Sequence, residues 1–376
     1  MMKVVIAIDS FKGCLSSMDA GLAAAEGVKR AVPSAVCTVR PLADGGEGTV
    51  DALVEGLGGE LRKVSVTGPA GKPVMAKYGL VGMTAVMEMA EAAGITLVSG
   101  AERDALKTTT YGVGEMILDA AKVGAKSFVI GIGGSATNDA GAGMLQALGW
   151  RLLDADGNAL PRGGASLSKL ATIAPPVRPF GCSFHIACDV KNPLCGPQGA
   201  SAVFGPQKGA TDDGVRILDA ALAHFASVAG DTATSPGDGA AGGLGFAFRR
   251  FLGAELVPGV DLVLRETRLA DYVKEADVVI TGEGRLDGQT VMGKAPIGVA
   301  RLAKLFGKPV FAFSGCVGDG AEAVNAAGID AFFPILRKVV TQAEAMEKSS
   351  ASANLTATVE QAFRAVAVAM AGGGVF

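Results

Sequence analysis

The chain has 376 residues, with 34 Lys plus Arg against 37 Asp plus Glu and a formal net charge of −3. At 49% hydrophobic and 19% charged it is too apolar for a disordered chain. Its 54 glycines are about twice the usual share of about 7%, but they follow no Gly-X-Y period, which excludes collagen. The length predicts two domains.

Strand and helix patterns alternate along the chain. Val4 to Ile8 reads as a buried strand ending at Asp9. Ser16-Ser17-Met18-Asp19 reads as a capping box that opens a helix through Arg30. A second strand, Val36 to Val39, leads through LADGGEGT into a helix over Val50 to Leu57. From Leu61 to Leu97 the pattern changes to several short strands with turns at Gly68-Pro69-Ala70-Gly71. A helix over Val113 to Val123 and a strand over Ser127 to Ile130 follow. GIGGSATNDAGAG then reads as a loop before a helix over Met144 to Leu148. Positions 154–180 read as an irregular excursion, and HIACDV (185–190) as a strand. Asp212 to Ala229 reads as a helix, and Gly237 to Gly245 as a glycine-rich turn. Asp277 to Ile280 is a buried strand entering a loop, TGEGRLDGQT. The last elements predicted are a helix over Ile297 to Phe306, a strand over Pro309 to Phe313 and a short strand over Ala331 to Ile335.

This β-loop-α rhythm predicts an α/β fold with a doubly wound, mostly parallel sheet. The rhythm after about residue 275 resembles that of the first 60 residues. One domain is therefore expected from 1–65 plus 285–376, with 66–284 inserted; two consecutive domains are the alternative.

Six cysteines without a CxxC pair, and only two histidines, predict free thiols in place of a zinc site or disulfide scaffold. The opening MMKVVIAIDS reads as a strand, not a signal segment, and no run of 18 apolar residues occurs, so a soluble cytoplasmic protein is expected. The charge balance, with no basic stripe, argues against nucleic acid as a partner.

The glycines cluster after strand-like runs: 45–48, 131–143, 196–209, 237–245, 282–293 and 315–320. Open α/β sheets bind ligands at the C-terminal ends of their strands. Glycine there permits positive φ and close approach, and successive backbone N–H groups hold oxyanions. The same loops carry Asp9, Asp44, Glu47, Asp139, Asp189, Glu283 and Asp287, with Lys12, Lys208 and Arg285. Carboxylates suit Mg²⁺ or a hydroxyl proton, and the cations suit a carboxylate or a moving phosphoryl group.

Two motifs compete. GIGGSA, with Asp154 about 20 residues on, satisfies the loose dinucleotide fingerprint. Its crowding by Ser135, Thr137, Asn138 and Asp139 fits phosphate or polar-substrate oxygens better. GQTVMGKA (288–295) nearly matches a P-loop, but Ala295 lacks the hydroxyl that ligates Mg²⁺. Lys294 is left as a point charge for phosphate. No G-x-S-x-G elbow is present, so a serine triad is not expected.

DSFKGCLSS (9–17), PLADGGEGT (41–49), GIGGSATNDAGAGM (131–144), CDVKNPLCGPQGA (188–200), VFGPQKGA (203–210) and ITGEGRLDGQT with MGK (280–294) together resemble the bacterial glycerate kinase family of glycolate and glucarate breakdown. The likeness runs almost end to end. It departs from the family's usual pattern at Cys14 and near Asp238. The resemblance implies ATP- and Mg²⁺-dependent phosphorylation of D-glycerate to 2-phosphoglycerate, with 3-phosphoglycerate as the alternative product. It also implies a Rossmann- or flavodoxin-like domain split by an inserted α/β domain, with the active site in an interdomain cleft. Asp189 is the first choice for the base that takes the hydroxyl proton, and Asp287 the second. Lys12 and Arg285, with Ser10, are expected to hold substrate, Lys12 also at the reacting group. Gly133, Gly134, Ser135, Asn138, Lys208 and Lys294 are expected to bind ATP phosphates, and Asp44 or Glu283 to organise Mg²⁺. A monomer or homodimer is expected. A dinucleotide-dependent oxidoreductase and a non-enzymatic sugar-acid-binding protein are the other readings.

Overall fold

The structure, a computed structural model, describes residues 1–177 and 180–371. Its strands are β1 (Lys3–Ile8), β2 (Val36–Val39), β3 (Glu60–Thr67), β4 (Pro73–Val81), β5 (Thr84–Glu88), β6 (Ser127–Gly131), β7 (Arg151–Leu153), β8 (Thr172–Ala174), β9 (Ser183–Ala187), β10 (Glu255–Val257), β11 (Val278–Leu286), β12 (Val310–Val317) and β13 (Ala331–Pro334). The chain forms two compact units. Unit 1 comprises Met1–Asp44, Asp51–Gly58 and the chain from Val263; unit 2 comprises Gly45–Val50 and Gly59–Leu262.

Unit 1 is built on a five-stranded parallel sheet in the order β13-β12-β11-β1-β2. Counted in chain order within the unit this is 2-1-3-4-5, the flavodoxin-like order, whose direction reverses between the first and third strands. Those strands are β1 and β11, paired from Val4↔Val278 to Ile8↔Gly282. The return segment begins at Val263, ahead of the expected 285, because β11 lies at the centre of this sheet. β11 also runs past the expected end at Ile280. TGEGRL, read as a loop, is strand, since Gly282 pairs with Phe313 and Leu286 with Val317. A Cβ at Gly282 would collide with the Phe313 carbonyl. Gly282→Ala should therefore destabilise the protein by about 1–3 kcal/mol or more, because the clash is with backbone that cannot rotate away. A thermal melt superimposable on wild type would refute this close approach.

The helix Ser17–Ala31 starts as the sequence predicts. Ser16 caps it in a capping box with Asp19. The next residue ties two loops together: Ser17 Oγ donates to the Ile8 carbonyl at 2.7 Å and accepts from the Leu42 amide at 2.9 Å. This bond fixes the chain just before Asp9 against the chain just before Asp44. The helix Lys348–Ala371, to which sequence reading assigned nothing, packs on Ser17–Ala31. Thr356 Oγ1 donates to the Ala23 carbonyl at 3.0 Å, and Leu355, Val359 and Phe363 join β1 side chains in the core.

Unit 2 carries a six-stranded sheet, β10-β9-β6-β5-β4-β3, in which β10, β9, β6 and β5 are parallel and β4 alone is reversed, pairing antiparallel with both β5 and β3. Its core includes Phe128 and Phe184, stacked at 5.0 Å between ring centroids. The expected excursion at 154–180 contains β8, which pairs antiparallel with β7; its residues 178–179 lie outside the described residues. The expected turn at 237–245 carries positive φ at Gly237, Ala241, Gly242 and Gly243, and the helix that follows, Ala240–Leu252, is regular only after Gly243. Asp238 anchors that entry: it is fully buried and accepts from Arg249 Nε at 2.7 Å and Nη2 at 3.0 Å.

Candidate active site

In unit 1 a cavity of about 1110 Å³ opens at the C-terminal ends of β1 and β11, where the strand order reverses. That is the position at which open α/β sheets bind ligands. Asp9, Ser10, Lys12, Asp44, Glu283, Arg285 and Lys294 line it. Asp9 follows β1 directly and is 8% exposed. Burial, with Asp44 and Glu283 as like-charged neighbours, raises its carboxyl to about 7, against the opposing pull of the Ser10 amide and Lys12. The Ser10 amide donates to Asp9 Oδ1 at 2.7 Å. Sequence reading named Asp9 among the loop acids but assigned it no role. Its signal was its place at the end of the first buried strand, a signal shared with several other acids.

Glu283 is also buried, and burial raises its carboxyl above the usual range. It accepts from Thr290 Oγ1 at 2.6 Å and lies 3.7 Å from Lys294 Nζ. Asp287 is engaged on both oxygens: Oδ2 meets Arg285 Nε at 3.2 Å, and Oδ1 accepts the Gln289 amide at 3.0 Å with Lys294 Nζ at 3.7 Å. Lys294 therefore sits among carboxylates of unit 1, while the other expected phosphate ligands belong to unit 2.

In unit 2 the loop after β6 brings together Gly133, Gly134, Ser135 and Lys208. Gly133 and Gly134 are exposed, and Gly134 has φ of 71°. Among the described residues, no protein acceptor takes the amides of Gly133, Gly134 or Ser135. The neighbouring groups that hold the loop are satisfied elsewhere: the Gly134 carbonyl accepts from the Ile95 amide at 2.8 Å, and the Ala136 amide donates to Ala93 at 2.8 Å. Successive free amides beside a positive-φ glycine are the kind of backbone arrangement that can hold an anion. Lys208, 1% exposed, donates from Nζ to Ser135 Oγ and to the Thr137 carbonyl, each at 2.7 Å. Burial pulls its ammonium down to about 7, with Asp139 opposing.

Asn138 and Asp139 shape this loop from inside. Asn138 is fully buried and donates from Nδ2 to Ser201 Oγ at 2.8 Å. Asp139, also fully buried, accepts the Thr110 amide and hydroxyl at 2.8 and 2.9 Å and the Gly141 and Gly143 amides at 3.1 and 3.2 Å. Asp189 is exposed just beyond β9, and its Oδ1 accepts the Gly259 amide at 3.0 Å.

The glycerate kinase family model matches residues 4–367. The chain belongs to the glycerate kinase family. It is 47% identical over 380 residues to a glycerate kinase of Halalkalibacterium halodurans, with 98% of each chain covered. It is 45% identical to the glycerate 2-kinase of Escherichia coli K12, covering 95% of this chain and 98% of that one. A solved Salmonella typhimurium LT2 structure, assigned as a glycerate kinase 2, superposes with a TM-score of 0.89 at 45% identity, covering 98% of this chain and 99% of that one. The chain is accordingly a kinase with the α/β, mostly parallel architecture of the glycerate kinase family.

The dinucleotide reading has no geometric support. Asp154 is half-buried just before a turn, accepts the Asp156 and Asn158 amides at 3.0 and 2.8 Å, and follows β7, which is antiparallel to β8. A ribose-binding acid belongs instead at the end of a parallel strand in a βαβ unit. All six cysteines are free, and no helix among the described residues is long and apolar enough to cross a membrane.

Proposed function

We propose that the chain transfers a phosphoryl group from ATP to D-glycerate, giving 2-phosphoglycerate, in the cytoplasm. The product assignment is supported by the name of the Escherichia coli relative. The cytoplasmic location is supported by six free cysteines, which suit a reducing compartment.

The observation that carries the mechanism is the Asp9 carboxyl, held at the switch point of the unit 1 sheet and raised to about 7. A base poised near the working pH is the most effective acceptor of a hydroxyl proton. Asp9 is therefore the proposed base, ahead of Asp287, whose two oxygens are engaged, and of Asp189, which holds the Gly259 amide. Lys12, Ser10 and Arg285 line the same cavity and supply cations and a hydroxyl for the glycerate carboxylate. Arg285 keeps one edge of its guanidinium on Asp287, which aims the rest of the fork. In unit 2 the Gly133, Gly134 and Ser135 amides, backed by Lys208, cradle phosphoryl oxygens.

Among the described residues no group of three or more His, Cys, Asp or Glu side chains forms a ready metal cage. This fits Mg²⁺ in a nucleotide site, which takes one or two carboxylates and fills its remaining positions with phosphate oxygens and water. Asp44 and Glu283 are the carboxylates proposed to hold it, and the ion would offset charge on the transferring group.

An assay with ATP, Mg²⁺ and D-glycerate tests the reading. Glycerate-dependent ADP formation is expected, with phosphorus NMR showing the phosphoryl group on the C2 oxygen. Product at C3 alone would correct the regiochemistry, and no ADP formation by folded protein would remove the kinase reading.

A further inference from the structure

The unit 1 cavity is far larger than a three-carbon acid requires. At about 1110 Å³ it exceeds the range of pockets that enclose drug-sized ligands, about 300–1,000 Å³. Its wall also divides by chemistry. One part carries the carboxylates and cations described above. The other is apolar: Phe11, Ile335, Leu336, Val339, Val340 and Met346. Glycerate offers only a carboxylate and two hydroxyls on three carbons, so nothing in it matches an aliphatic wall.

The segment 336–340 has a second property. Among the described residues its backbone amides and carbonyls make no hydrogen bond to the protein. The flanking residues do: the Ile335 amide donates to the Ser314 carbonyl at 2.9 Å, and the Thr341 amide to Glu344 Oε2 at 2.9 Å. Leu336 and Val339 are exposed, so their side chains are not committed to the core. An aliphatic surface bordered by free backbone donors and acceptors matches a planar heterocycle, whose faces want apolar contact and whose edge wants amide-like partners. Arg337 and Lys338, on the same segment and also lining the cavity, add positive charge for a polyphosphate.

We infer that the apolar wall formed by segment 335–340 with Met346 binds the base and ribose of the nucleotide donor, the base edge being read by the backbone of 336–340. The inference rests on the kinase reading and extends it by placing the nucleoside in unit 1.

Calorimetry with a non-hydrolysable ATP analogue, on the full chain and on Leu336→Glu and Val340→Glu, tests it alongside steady-state kinetics. Both variants should weaken analogue binding and raise KM for ATP by about tenfold or more, while KM for D-glycerate stays within about twofold. The unchanged glycerate KM also shows that the variants are folded. Wild-type binding of the analogue with undiminished binding by both variants would overturn the placement alone. A wild type that binds no analogue would overturn the kinase reading and the placement together. A rise in glycerate KM with ATP KM unchanged would assign the wall to the organic acid and overturn the placement.

Discussion

Asp9→Asn is expected to lower kcat by about 10²-fold or more, the usual contribution of a positioned general base, while raising thermal stability above pH 7. The two effects share one cause. The folded protein holds the Asp9 carboxyl at about 7, mainly through burial and then through Asp44 and Glu283, against a reference value of 3.8. Between those values the native state binds a proton that the unfolded state has released, so stability falls as pH rises through this window. It is full below about 4 and has been lost once pH passes 7. Asparagine is neutral throughout and removes the loss. The asparagine variant should therefore melt higher than wild type at pH 8 and nearly with it at pH 4. Asp189→Asn serves as the comparison: if it lost more activity than Asp9→Asn, the base would be Asp189.

Lys208→Met carries the other large effect. Nearly all of the lysine is buried, and its ammonium holds Ser135 Oγ and the Thr137 carbonyl. Methionine keeps much of the volume but neither the charge nor the donors. KM for ATP should rise by about tenfold or more if the proposed phosphate role holds, since the ammonium and the fixed position of the Ser135 loop are lost together. Stability should move the other way. Burial lowers the ammonium from 10.5 to about 7, so between these values the unfolded state binds a proton the native state lacks. Wild-type stability therefore rises with pH across this range and is lowest below 7, where the buried charge must be tolerated. Without bound nucleotide, the methionine variant should melt above wild type at pH 6, with the gap narrowing as pH approaches 10. A variant with unchanged ATP KM would assign Lys208 to the scaffold alone.

These two residues show how unevenly the site was legible. Lys208 was named from its place in a glycine-rich loop after a strand, although its burial was not visible. Asp9 stood in the same class of position and received no role, because its shift depends on burial by the fold and then on Asp44 and Glu283, 35 and 274 positions away in the chain. Asp139 had the sequence signature of a reactive acid yet is the buried acceptor for two amides of its own loop and for the amide and hydroxyl of Thr110.

Local order was largely readable. Periodicity placed β1, β2 and six of the fourteen α-helices among the described residues, and the Ser16–Asp19 capping box stands as predicted, since such features depend on neighbours within a turn. Composition excluded the collagen-like and disordered classes, the β-loop-α rhythm pointed to an α/β fold, and the ordered set of motifs pointed to the family. What the tertiary structure decided depends on pairing across long separations. β11 continues through Gly282–Leu286 because β12 lies beside it, and Asp238 is buried ahead of the helix Ala240–Leu252 because Arg249, eleven residues on, reaches back to pair with it. Charge states belong to the same class. A carboxylate's pKa is set by the water it loses and the charges that the fold brings near it, and neither is written in its own stretch of chain.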